Sequence, residues 1–188
     1  LVQDKKKVFL GIAVAIPKSG FDDILKMCTE IGIDFIQPLY SEHQIKRISN
    51  QSSKMDRWNI IINEAVEQCE RLWKPKILNI LDIYEWIIAC KAKDIISISL
   101  TRDESCISLN DWLKMQNLPI QETTIIWNVI GPEGGWSRRE ICCFKDNKFQ
   151  LIRLSESILR TSTACVTAAS ILSQWRSFDM ESNSIMEK

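Results

Sequence analysis

Histidine occurs once in the 188 residues, at His43. A lone imidazole excludes triads and metal sites that need a second one. The seven cysteines make an odd count and include no Cys-x-x-Cys pair. Cys142 and Cys143 are adjacent, a spacing that does not easily chelate one tetrahedral metal. This argues against a disulfide framework or a zinc site and implies reduced, mostly buried thiols in a cytoplasmic protein with no metal. Neither sign of charge is in surplus: 24 Lys and Arg balance 24 Asp and Glu. A dedicated nucleic-acid binder usually carries a basic excess, so any such role needs a local patch or a further segment. No apolar run approaches the roughly 18–20 residues of a membrane span, which gives no reason to expect a membrane partner. Residues 1–20, "LVQDKKKVFLGIAVAIPKSG", have the outline of a signal peptide. Their apolar part is short, β-branched and closed by Pro17-Lys18, so it reads as a strand.

What is present fits one domain with a full core: 45% hydrophobic and 26% charged residues. Apolar segments alternate with segments of helical period, which points to an α/β fold with a parallel sheet. The sequence predicts strands at 8–16, 34–40, 94–100, 123–130 and 149–154, with a weaker one near 76–80. Several are apolar on successive residues, as in strands covered on both faces. Helices are predicted at 20–31, ending at Gly32, and at 54–73, ending before Pro75. The second shows a stripe of Trp58, Ile62, Ala65, Val66, Cys69 and Trp73. Further helices fall at 82–92, 137–146 and 162–176; residues 101–121 read as loop with a short helical turn. The domain is expected to end near 178, with a frayed tail over 179–188.

Glycine is scarce, at six, yet three lie in "IGPEGGWSRRE" at Gly131, Gly134 and Gly135. No lysine follows as a P-loop requires, and the order Gly-Pro-Glu-Gly-Gly is not the dinucleotide fingerprint. Gly134-Gly135 permits positive φ and close approach of backbone amides to a ligand. Pro132 stiffens the start, and Ser137 with Glu140 has the spacing of a capping box. By itself the motif reads equally as a tight strand-to-helix turn without a ligand.

The next stretch, "FQLIRLSESILRTSTACVTAASIL" (149–172), changes the weighting. "IGPEGGWSRREI" followed by "LSESILRTSTA" resembles the RsmE-type ribosomal RNA uracil-N3 methyltransferases of the SPOUT superfamily. Blocks at 15–20, 28–42 and 57–77 match that family in order, so the resemblance covers about 8–175. It implies a SPOUT-type parallel sheet flanked by helices with a C-terminal deep trefoil knot. It also implies S-adenosyl-L-methionine as cofactor, 16S ribosomal RNA or the small ribosomal subunit as partner, and a homodimer. Family members usually carry an N-terminal PUA-like RNA-binding domain, and this chain starts at Leu1, about where that domain should end.

Carried over residue by residue, the resemblance places the cofactor against three segments. These are Ser99, Leu100 and Thr101; Ile130, Gly131, Pro132, Glu133, Gly134 and Gly135; and Leu151, Leu154, Ile158, Leu159 and Arg160. The apolar members of the third segment read equally as plain core. Lys18, Arg57, Glu64, Gln68 and Arg71 become RNA-side candidates. Glu64, Gln68 and Arg71 are spaced i, i+4, i+7 on one helical face, which by itself also fits a solvated, salt-bridged surface. Arg160 or Arg71 would stabilise a developing uracil anion. The family pattern is Leu-Gly-x-Arg-Ile-Leu-Arg-x-Glu-Thr-Ala. Here Ser155 stands for the glycine, Ser157 for the first arginine and Ser162 for the acid. Those three departures keep a non-catalytic RNA- or ribosome-binding module open beside the uracil reading; another knotted RNA methyltransferase, acting on a ribose 2′-hydroxyl, is the alternative enzyme, and the order of the early blocks argues against it.

Overall fold

A computed structural model describes residues 8–44, 50–90, 92, 94–100, 106–116 and 123–186, with side chains to residue 177. Among the described residues every strand pairing is parallel. The strands are β1 (Val8–Ala15), β2 (Phe35–Tyr40), β3 (Lys76–Ile77), β4 (Leu81–Asp82), β5 (Ile95–Ser99), β6 (Ile107–Ser108), β7 (Thr124–Ile130) and β8 (Gln150–Arg153). They lie in the order β3-β2-β1-β7-β5-β8-β6, with β4 also on β2. The α/β parallel sheet and its five main strands follow the sequence reading. The weak strand near 76–80 resolves into two short pieces on β2. Pro38 sits between the two pairings and offers no N–H to that edge, and Gln37 Nε2 spans the gap by donating to Asn79 O at 2.7 Å.

The helices are α1 (Phe21–Ile31), α2 (Gln51–Gln68), α3 (Ile83–Ala89), α4 (Leu109–Lys114), α5 (Arg138–Asp146) and α6 (Thr161–Met186). Strand alternation divides the core between the sheet's two faces. Leu10, Ile12 and Val14 of β1 join α1, α2, α4 and α6 on one side. Ala13 of the same strand, with Trp127 and Val129 of β7, joins α3 and α5 on the other. A polar rung crosses the middle. Asn128 of β7 is fully buried; its Nδ2 donates to Ser97 Oγ and its Oδ1 accepts from Ser99 Oγ, each at 2.9 Å. Satisfied inside the sheet, this rung fixes the register of β5 against β7 at the end where Ser99 emerges.

Two boundaries differ from the sequence reading. α6 continues to Met186, past residue 179 where a frayed tail was expected. α2 starts at Gln51, capped by the Asn50 side chain, and ends at Gln68 rather than near 73. Glu70 takes φ 53°, its N–H bonds Glu67 O, and the Arg71 N–H bonds Val66 O. This Schellman closure does not need the glycine that a sequence search looks for. The predicted stripe changes accordingly: Ile61 joins Trp58, Ile62 and Ala65, while Trp73 lies beyond the helix and is 39% exposed.

The same turn swings Arg71 inward. Its guanidinium donates to Thr29 O (2.8 Å) and Ile33 O (2.9 Å) and faces Asp34 Oδ1 at 3.6 Å. Burial holds its pKa below the ordinary guanidinium value, and the Asp34 charge opposes that shift. Arg176 of α6 also pairs with Asp34 and donates to Gly32 O at 3.0 Å, while Asp34 Oδ2 accepts from the Leu10 N–H. One carboxylate thus joins β1, the α1–β2 turn, the end of α2 and α6. Asp34→Ala strands two largely buried cations and is expected to cost about 3–5 kcal/mol. Urea unfolding of the two proteins checks this; a loss below about 1 kcal/mol contradicts it.

Candidate active site

A cleft of about 570 Å³ opens at the carboxyl ends of β5, β7 and β8. Crevices outside the carboxyl ends of parallel strands are where open α/β sheets hold ligands, and small-molecule sites span ~300–1,000 Å³. Three separate segments meet there: Ser99 and Leu100, Ile130 to Trp136, and Leu154 to Thr161, with Ile141 and Ala164 filling the back. Of the predicted cofactor residues, Ser99, Leu100, Ile130, Gly131, Pro132, Glu133, Gly134, Gly135, Leu154, Ile158, Leu159 and Arg160 all line this cleft. Leu151 does not; it lies two residues inside β8 and packs against the second core, the cluster that includes Trp127 and Phe144. Thr101 lies outside the described residues.

The RNA-side candidates are spread more widely. Lys18 adjoins the glycine loop, its backbone N–H donating to Glu133 Oε1 at 3.1 Å. Arg57 is ion-paired with Asp22, and Glu64 and Gln68 lie on the exposed face of α2. Arg71 does not share that face, because α2 closes before it. None of Arg57, Glu64, Gln68 or Arg71 lines the cleft.

The three glycines have distinct reasons. A Cβ on Gly131 would stand 3.0 Å from Cε2 and 3.1 Å from Nε1 of Trp136. A Cβ on Gly134 would meet His43 Cβ at 3.3 Å. Gly135 takes φ 70° and has open space where a side chain would start. The expected positive φ therefore belongs to Gly135, and the missing side chains at 131 and 134 make room for other parts of the same protein. Of the three, only Gly135 would carry a Cβ that meets no other part of the protein.

Sequence reasoning missed Trp136. Its ring stands edge-on to Phe144, centroids 5.1 Å apart, and Nε1–H donates to Ser99 O at 3.3 Å. It thereby ties the glycine loop to the end of β5. A single tryptophan after a glycine pair carries no motif that announces this role, although Gly131 five residues earlier is its structural counterpart. Thr161, the first residue of α6, donates from Oγ1 to Gly131 O at 3.4 Å and closes the third side.

Behind the loop, the predicted capping box is present. Ser137 Oγ accepts from the Glu140 N–H, and Glu140 Oε2 accepts from the Ser137 N–H. Glu140 is fully buried and its second oxygen accepts the Glu42 N–H at 2.9 Å, so the helix start is fastened to the β2 exit. Hydrogen bonds from Ser137 and then Tyr84 hold Glu42 below the ordinary carboxylate range. Burial, with the Glu42 hydrogen bond and charge behind it, pushes the Tyr84 hydroxyl well up. Among the described residues no cluster suits a metal ion, and no helix is long and apolar enough to cross a membrane. All seven cysteines are free, three of them buried.

Of the three serines that depart from the family pattern, two reach the cleft. Ser155 and Ser157 line the cleft, and Ser155 Oγ accepts the Ser157 N–H at 3.1 Å. Ser162 leaves the first turn of α6 without an acid. Among the described residues, Glu133 and Arg160 are the charged side chains lining the cleft. Gly131→Ala forces a methyl against a ring backed by Phe144 and is expected to cost about 1–3 kcal/mol. Thermal and urea unfolding check this; stability equal to wild type contradicts the packing of Trp136 on Gly131.

Comparison with known proteins agrees with this geometry. A sequence profile described as RNA methyltransferase domain matches residues 4–173. The ribosomal RNA small subunit methyltransferase E of Synechocystis is 35% identical over 167 residues, covering 88% of this chain and 53% of the relative. That of Mesomycoplasma hyopneumoniae is 32% identical over 165 residues, covering 87% and 68%. The chain thus spans 53% and 68% of these relatives' lengths. The Neisseria gonorrhoeae ribosomal RNA small subunit methyltransferase E, solved bound to S-adenosyl methionine, superposes with TM-score 0.76 at 26% identity, over 89% of this chain and 66% of that one. On sequence and fold together, this chain belongs to the ribosomal RNA small subunit methyltransferase E family of RNA methyltransferase domains.

Proposed function

We propose that this protein uses S-adenosyl-L-methionine to methylate N3 of a uridine in 16S ribosomal RNA. The observation that carries the reading is the cleft at the ends of β5, β7 and β8, where twelve of the fourteen residues expected to hold the cofactor come together from three distant segments. The residues present fit the cofactor. Leu100, Ile130, Leu154, Ile158 and Leu159 offer apolar walls, Gly135 offers an opening where a Cβ would stand, and Glu133 and Arg160 offer one charge of each sign. When bound, S-adenosylmethionine supplies a methyl group already made electrophilic by its sulfonium.

The chain's own work is to position and to shape. N3 of uracil carries a proton and lies on the pairing edge, so the base must be unpaired and deprotonated to react. N3 would lose its proton to solvent, and its freed electron pair would be the nucleophile that the cleft residues hold toward the bound methyl donor. Arg160, exposed at the cleft rim, stabilises the developing uracil anion. Arg71 is left out of this reading because its guanidinium is committed to Thr29, Ile33 and Asp34. Lys18, whose backbone N–H bonds Glu133 at the glycine loop, is assigned a phosphate contact in this reading. The reading also carries a homodimer, a cytoplasmic setting, and a deep trefoil knot in the stretch from β7 to α6.

Transfer of labelled methyl to undermethylated small ribosomal subunits tests the proposal. Label on N3 of a single uridine is expected, and Arg160→Ala should lower kcat by about tenfold or more. Unchanged turnover removes Arg160 from the mechanism. Label on a ribose 2′-hydroxyl overturns the uracil assignment.

A further inference from the structure

We propose that His43 is a positioning residue for the cofactor cleft, holding the Gly134-Gly135 backbone from outside. The inference rests on the proposed cofactor reading and adds a residue to it. His43 follows β2, far in sequence from the glycine loop, and is not among the residues that line the cleft. Its Nδ1 lies 3.2 Å from Gly134 O and 2.9 Å from Gly135 O. Both partners are carbonyl oxygens and can only accept, so Nδ1 carries the proton. The neutral ring is then the Nδ1–H tautomer, and the imidazolium donates from the same atom.

The ring stands on an anchored base. The neighbouring Glu42 has its N–H on buried Glu140, its carboxylate on the Tyr84 hydroxyl at 2.7 Å, and Arg139 at 3.8 Å. Gly134 completes the fit, since a Cβ there would press on His43 Cβ. The two carbonyls define two successive peptide planes. In a trans peptide the N–H points opposite to the C=O. Drawing both carbonyls to His43 therefore turns the Gly135 and Trp136 N–H groups the other way; the Gly135 N–H closes the turn on Pro132 O at 2.9 Å. Glycine loses more conformational freedom on ordering than any other residue, so two in succession need an external hold to stay in one arrangement. His43 provides that hold without touching the ligand.

Two measurements test this on the untagged chain. Because His43 is the only histidine, a long-range proton–nitrogen spectrum shows a single imidazole. At alkaline pH its Nδ1 should be the protonated nitrogen. The Nε2–H tautomer would overturn the geometry, whatever the protein binds. The second measurement is calorimetric titration with S-adenosylhomocysteine. His43→Leu should weaken binding about three- to tenfold, the range expected for one hydrogen-bonding donor. His43→Asn, which keeps a donor at the δ position, should bind within about twofold of wild type on the same scale. Equal affinity in His43→Leu, or failure of His43→Asn to recover it in a folded protein, overturns the donor role. Absence of binding in the wild type, with the expected tautomer present, removes the cofactor reading on which the role rests.

Discussion

A loop built from three glycines and a proline has almost no side chains with which to hold itself, and this site depends on how that deficit is made good. The Gly131–Gly135 stretch is fastened by groups from four other places. The Lys18 N–H takes Glu133, His43 takes two carbonyls, Thr161 takes a third, and Trp136 reaches across to Ser99. Each contact is individually modest, near the net value of an ordinary hydrogen bond of about 1 kcal/mol. Together they define one arrangement of a backbone that would otherwise sample many. An opening already shaped before the ligand arrives spares the binding step the cost of ordering it.

Those fastenings are themselves placed by the sheet. β7 lies between β1 and β5, so the loop that follows it is flanked by the exits of both neighbours. The buried Asn128 rung sets β5 against β7, which puts Ser99 O within reach of the Trp136 indole. β8 lies beyond β5 and delivers Leu154 to Arg160 to the far side of the cleft. The Asp34 cluster secures α6 to the α1–β2 turn, and α6 brings Thr161 to Gly131 O. Disturbing that distant cluster is thus connected to the site through one rigid helix.

Much of this was legible in the sequence, for identifiable reasons. Buried parallel strands are apolar on successive residues, so the five main strands stood out. The Gly32 stop and the Ser137–Glu140 capping box have local chemistry that a sequence displays directly, and both are present. The end of α2 was not legible. Its terminating turn uses Glu70 in the left-handed region, and α5 ends in the same way at Lys148, φ 58°. With no glycine to mark α2's end, Arg71 was assigned to a helix face it does not occupy. At the cleft, the described residues gathered by the family resemblance came together, except that strand depth sends Leu151 to the second core. Trp136 and the roles of Gly131 and Gly134 were hidden because they depend on long-range packing. A glycine looks the same in a sequence whether it makes room for a ligand, a tryptophan ring or a histidine.

The central claim is that the cleft at the ends of β5, β7 and β8 holds the cofactor. Mapping backbone amide shifts while S-adenosylhomocysteine is titrated into the chain tests it most directly. The account predicts saturable changes concentrated at residues 99–100, 130–136 and 154–161. Changes centred at the opposite end of the sheet, around Asp94 and Phe149, or no changes in a folded sample, would contradict it.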